Sequence, residues 1–206
     1  ISEWVSANAQ SYLSAANNGD SHGSYALFAP GNQNSRGAQY TFNMANAVTG
    51  KYTVEFDVKL KAGNNQTTGF GLTGSDIAYN SNNMNNGPAS GYIFYMTSDK
   101  STTWTITNAE SDTNTVIIPE GNWVNVKAVV DTTAKTATLT ISNHGAVLYS
   151  GNVAINGTGA LGGIYVLGGR YNSETGVDNV KVTSGAPVEM AEDGFVVLSK
   201  YETVSS

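Results

Sequence analysis

The sequence predicts an all-β chain, a two-sheet antiparallel β-sandwich. Three observations carry that expectation: apolar residues alternating with polar ones, turn residues between short runs, and no sustained 3.6-residue period. Alternation is cleanest at Lys51–Leu60. There Tyr52, Val54, Phe56, Val58 and Leu60 share one face, and Thr53, Glu55, Asp57 and Lys59 share the other. A period of two with one apolar face is the mark of a strand half-buried on a sheet. Gly, Asn, Ser and Thr are abundant between such runs, as short strands joined by tight turns require.

Taken in order, strands are expected at Ser24–Ala29, Gln39–Asn43, Lys51–Leu60, Thr68–Thr73, Gly91–Thr97, Thr103–Thr107 and Thr115–Ile118. Trp123–Val130 alternates through Val124, Val126, Ala128 and Val130. After the turn Asp131-Thr132-Thr133-Ala134-Lys135, Thr136–Ile141 alternates again, and the two read as a hairpin. Ala146–Ser150, Gly163–Leu167 and Val177–Val182 complete the set. Helix is expected only near Ser6–Ala16. Gly74–Ser90 reads as a long Asn-rich loop, a place for ligand contact or for solvated chain. Residues 1–183 form the expected sandwich domain. At Ser184-Gly185-Ala186-Pro187 the composition shifts, and residues 184–206 read as a returning edge strand around Phe195–Leu198 or as a tether.

Bulk composition removes several function classes. With 206 residues the chain can bury a core without covalent staples. It has no cysteine, which excludes disulfides, thiolate metal sites and a cysteine nucleophile. Ten Lys and Arg face sixteen Asp and Glu, with no basic cluster, so neither nucleic acid nor an anionic membrane is an expected partner. No apolar run reaches about 18–20 residues, the length of a bilayer-spanning helix. A secreted, extracellular setting is the expectation from this Asn/Gly/Thr-rich composition. Motifs for serine-hydrolase elbows, phosphate loops and zinc-protease helices do not occur.

Three passages together resemble jelly-roll carbohydrate-binding modules and the related concanavalin and laminin-G sandwiches of bacterial polysaccharide-degrading enzymes. They are Gly19-Asp20-Ser21-His22-Gly23-Ser24-Tyr25-Ala26-Leu27, then Asn122-Trp123-Val124-Asn125-Val126 with its hairpin, and Val177-Asp178-Asn179-Val180-Lys181-Val182. The resemblance implies a non-catalytic domain that holds an appended enzyme or assembly on a plant or microbial polysaccharide, raising its effective concentration there. Catalytic or dockerin-type domains covalently linked to it would be its partners. The resemblance also implies a structural calcium tying an early loop to the last strand, with Asp20, Asp178 and Glu3 as ligands. A turn-capping or solvated role is the alternative for each carboxylate.

Sugar recognition needs aromatic faces for the C–H side of the ring and hydrogen-bonding groups for the hydroxyls. The chain has 11 Tyr and 3 Trp. Trp104, set among threonines, is the expected exposed tryptophan, while Trp123 and Trp4 read as packing residues. Tyr79 lies in the Asn-rich segment. Tyr92 and Tyr95 have opposite strand parity, which places one of them on a groove. Arg170-Tyr171 follows two glycines and is the expected ligand-contacting pair, its alternative being a surface arginine bound to Glu174. His22 and His144 read as turn histidines. Glu55 and Asp57 lie on one strand face, roughly 6–7 Å apart by strand rise. Their Glu-Phe-Asp pattern is similar to the start of the laminarinase-like hydrolase motif. Where that motif has its second glutamate, this chain has Lys59 and Leu60, so ligand contact or a plain polar outer face remain as readings. A sandwich hydrolase or lyase, and a structural or adhesive domain, are the rival functions.

Overall fold

The computed structural model describes residues 4–5, 13–17, 19–29, 31, 36–41, 48–61, 67–79, 88–99, 102–110, 114–168 and 173–184. Fourteen strands run in chain order: β1 Trp4–Val5, β2 Leu13–Asn17, β3 Ser24–Phe28, β4 Arg36–Thr41, β5 Lys51–Lys61, β6 Thr67–Tyr79, β7 Pro88–Asp99, β8 Thr103–Thr107, β9 Asn114–Ile117, β10 Trp123–Asp131, β11 Thr136–Asn143, β12 Ala146–Ala154, β13 Leu161–Gly168 and β14 Glu174–Ser184. They build two seven-stranded antiparallel sheets, ordered β1-β4-β13-β6-β7-β8-β9 (sheet A) and β12-β11-β10-β5-β14-β3-β2 (sheet B). The expected all-β sandwich is the observed fold, and no helix occurs among the described residues.

Alternation converts directly into the core. Tyr52, Val54, Phe56, Val58 and Leu60 of β5 are buried, and the intervening residues are half-buried. Across from them sheet A contributes Phe70, Leu72, Phe94, Met96, Ile106, Ile164 and Val166. Phe70 meets Phe56 edge-on at 6.2 Å and Phe94 at 6.4 Å, so the ring cluster joins the two sheets. The predicted hairpin is present, with Val126 opposite Ile141 and Val130 opposite Ala137. Asp131 closes its turn by accepting the backbone N–H groups of Thr133 and Ala134, each at 3.0 Å.

Three local expectations change. Leu13–Asn17, which overlaps the end of the stretch Ser6–Ala16 expected to favour helix, is a strand that pairs with β3 from Leu13↔Phe28 to Asn17↔Ser24. Leu and Ala favour helix, but a segment this short is marginal as an isolated helix, and pairing with β3 satisfies its backbone instead. Gly74–Tyr79, expected as loop, continues β6. The chain turns out of the β7 ladder there, Ser75 N–H donating to Ala160 O at 2.8 Å, and rejoins it at Ala78↔Ser90. Gly162 has to be glycine at this junction, because a Cβ there would overlap the backbone of Gly74. Residues 80–87 and the segment Phe195–Leu198 lie outside the described residues.

The third change concerns strand parity. On β7, Phe94 pairs with Leu72 and Tyr92 with Thr73, which leaves Ile93 as an extra residue. That bulge flips the alternation. Tyr92 and Tyr95 therefore share one face, their rings meeting at 5.0 Å and 82°. The expectation that only one of them faces outward fails for this reason. A second bulge lies on β14, where Asp178 pairs with Asp57 but Lys181 pairs with Glu55. Asn179 occupies it with φ at 51°, a left-handed conformation that asparagine tolerates better than most residues.

Candidate functional site

Sheet register divides the expected site residues among three places. Trp104 belongs to the core. It is 2% exposed and packs 6.0 Å from Phe70. Its neighbours Thr103 and Thr105 face the other way, while Ile106 joins it inside. The threonines around it suggested exposure, but the i, i+2 pairing of Trp104 with Ile106 was the better signal. A buried indole cannot stack on a sugar.

The outer face of sheet A holds Tyr92, Tyr95 and Tyr165. Gly71 stands between Tyr95 and Tyr165 in register. A Cβ at Gly71 would come within 2.6 Å of Phe94 O, so the strands approach too closely here for any side chain. Tyr165 and Leu167 are fully buried and form a small apolar cluster of their own. Tyr92 is 8% exposed, its hydroxyl raised in pKa by burial and by neighbouring Tyr95. Tyr95 is half-buried, and Tyr79 ends β6 opposite Pro88. This face is packed more than it is open.

Sheet B carries the remaining described candidates on its outer face. Glu55 sits in register between Lys127 of β10 and Lys181 of β14, a row of alternating charge that stabilises cross-strand pairing. Asp57 is engaged on both oxygens. Oδ1 accepts Asn125 Nδ2 at 2.9 Å, and Oδ2 accepts Asn179 Nδ2 at 2.8 Å and His22 Nε2 at 3.0 Å. A carboxylate held by three such bonds is fixed in place as a structural acceptor. Arg170, Tyr171 and Glu3 lie outside the described residues.

One strand step beyond Asp57 the outer face opens into a groove of about 520 Å³. It is lined by Leu27, Lys59, Leu60, Lys61, Glu120, Gly121, Glu174 and Gly176. Each wall has a physical origin in the register. Lys61 stands opposite Glu174 with Nζ 3.5 Å from Oε1, and Lys59 stands opposite Gly176. The connection into β10 is pinned by Gly121 N–H donating to Leu60 O at 2.9 Å, which brings Glu120 to the rim. Lys59 extends over two rings, its Nζ 4.5 Å from the Tyr25 centroid and 4.8 Å from that of Trp123. Those rings meet edge-on at 5.0 Å above Gly176, where a side chain would strike both. The floor is thus apolar and the rim carries ammonium and carboxylate groups in alternation. Its volume lies in the range of small-ligand sites.

Trp123 is held from the side by the β2–β3 turn. Its Nε1 donates to Asp20 Oδ2 at 3.0 Å, and the His22 ring stacks on it at 4.1 Å and 13°. The indole hydrogen bond is the leading cause that lowers the Asp20 carboxyl, followed after desolvation by the His22 amide and Lys59. Asp178 is buried beside this cluster with Oδ2 unpartnered among the described residues. Burial pushes its carboxyl upward. Sequence reasoning placed Trp123 as structural and His22 in a turn, and both descriptions hold. It missed the groove, because Lys59, Glu120 and Glu174 converge only through strand pairing.

The sequence matches no protein-family model and no curated protein. Solved structures do resemble the fold. A sialidase superposes with a TM-score of 0.58 at 10% identity over 89% of this chain, which corresponds to only 17% of that protein's length. A GH131 β-glucanase catalytic domain from Podospora anserina gives 0.57 at 15% identity, covering 87% of this chain and 82% of its own. The Lotus tetragonolobus seed lectin gives 0.52 at 9% identity, covering 86% and 90%. At such identities the likeness is one of architecture: the chain has a jelly-roll sandwich fold.

Proposed function

We propose that this chain is a carbohydrate-binding domain that takes a short stretch of glycan in the groove at Lys59, Glu120 and Glu174. The observation that carries this reading is the groove's chemistry: an apolar floor beside two aromatic rings, ringed by both donors and acceptors. Sugar rings offer a C–H face to the first and hydroxyls to the second. The reading is of a non-catalytic domain, since Asp57 is held in place by three hydrogen bonds and Glu55 lies in register between lysines. Secretion, attachment to a polysaccharide-degrading enzyme and a plant or microbial polysaccharide as ligand belong to the same proposal. Binding is expected to be modest, because hydrogen bonds to a hydrated polymer replace equally good ones to water.

The test is a polysaccharide array followed by calorimetry on any hit. Lys59→Met with Glu120→Gln should weaken binding by at least about tenfold, the loss of roughly 1.4 kcal/mol. Failure to bind any plant, algal or microbial polysaccharide would overturn the proposal. A hydrolase reading has one specific support: Glu120 and Glu174 are two carboxylates lining one groove, as glycoside hydrolysis requires. Release of reducing ends that is lost in Glu120→Gln or Glu174→Gln would establish it over simple binding.

A further inference from the structure

We propose that His22, rather than a divalent cation, fastens the β2–β3 turn to strands β5, β10 and β14. The resemblance to calcium-tied jelly-roll modules assigns a metal to Asp20, Asp178 and Glu3, joining an early loop to the last strand. A hard cation of that kind needs about 6–8 converging oxygen ligands. Asp20 and Asp57, two of the carboxylates around the turn, are turned toward nitrogen donors instead, while Asp178 keeps one oxygen unpartnered among the described residues. Asp20 receives the Trp123 indole N–H on Oδ2 and the His22 amide on Oδ1, at 3.0 and 2.9 Å. Asp57 receives three N–H groups. Each of these hydrogen bonds takes one of a carboxylate's roughly four lone-pair sites and fixes its orientation. Among the described residues no three His, Asp or Glu side chains group so as to hold a metal ion. One unpartnered carboxylate oxygen, that of Asp178, falls far short of the number such a cation requires.

The imidazole makes the connections that a metal would otherwise make. Nε2 reaches Asp57 of β5, and since an ionised carboxylate can only accept, that nitrogen carries the proton. The ring face lies on Trp123 of β10. Asn179, turned out by the β14 bulge, donates to the same Asp57 oxygen at 2.8 Å. The path therefore runs from the early turn through His22 and Asp57 to the last strand, the two parts of the chain that the calcium was expected to join. This inference is independent of the groove's ligand.

Calorimetric melting of the intact chain in excess EDTA and in excess CaCl₂ tests it. The two melts should coincide, and elemental analysis should find no stoichiometric calcium. His22→Ala should lower Tm by roughly 5–10 °C through the lost charged hydrogen bond and ring contact. His22→Gln, which can donate to Asp57 but not stack, should lose about half as much. If His22→Ala fails to fold, the glutamine variant and the chelator comparison still decide the matter. A Tm raised by CaCl₂ and reversed by EDTA would overturn the inference. So would a His22→Ala protein that melts with the wild type.

Discussion

Gly176→Ala is the sharpest probe of the groove floor. A Cβ built there lies 3.0 and 3.2 Å from two Tyr25 ring carbons and 3.3 Å from Trp123 Cη2. Carbon–carbon contacts are comfortable at about 3.5–4.0 Å, so the rings must retreat by several tenths of an ångström. Trp123 is held by its Asp20 hydrogen bond and by the His22 stack, and Tyr25 is 6% exposed, so neither ring is free to move alone. Overpacking of this kind costs about 1–3 kcal/mol. Replacing glycine in a strand returns about 0.5–1 kcal/mol of unfolded-state entropy, because the φ here lies outside the left-handed region. The net expectation is a loss of about 0.5–2 kcal/mol, or roughly 2–6 °C in Tm. Urea denaturation should read it, with near-UV circular dichroism reporting the displaced rings. In a Tyr25→Leu background the penalty should shrink, a coupling of about 0.5 kcal/mol or more between the two sites. A Gly176→Ala protein as stable as wild type, with unchanged aromatic dichroism, would refute the packing described.

Other substitutions separate core from surface and fix the pH behaviour. Trp104→Ala should cost about 3–5 kcal/mol in denaturant unfolding through the cavity it leaves; a variant of wild-type stability that had lost only glycan binding would return Trp104 to the surface. Asp178 has a raised carboxyl, so the folded chain holds that proton more tightly than the unfolded one and the ionised form costs stability above the raised value. Asp178→Asn should therefore match or exceed wild type at pH 7, its advantage closing as pH falls toward the ordinary value of 3.8. Asp131 behaves oppositely, since the amides of Ala134 and Thr133 are among the causes that lower its carboxyl. Asp131→Ala should be less stable than wild type at neutral pH and equal to it once pH has fallen well below 3.8; pH-dependent melts check both carboxylates.

Much of the fold was readable along the chain because its cause is local. The alternation at Lys51–Leu60 and the Trp123–Ile141 hairpin each needed only a period of two to name their buried faces, and the core contains those same residues. Trp104 is buried although its neighbours are polar, and the local signal of that burial is its i, i+2 parity with Ile106. Tyr92 and Tyr95 were misjudged for a deeper reason. Ile93 becomes a bulge only when β7 is laid against β6, and no pattern within β7 marks it.

The site depends on tertiary structure to a greater degree. The sequence by itself determined an all-β sandwich with an acidic, cysteine-free composition and turn residues at Asp20 and Asp131. Only the folded chain decided that Lys61 meets Glu174, 113 residues away, that Glu120 joins them, and that Tyr25 and Trp123 close over Gly176. It also set the His22 ring against Trp123 with Nε2 on Asp57. Side-chain alternation is a property of one strand, whereas a groove is a property of register between strands, and register is set by the packing of the whole core.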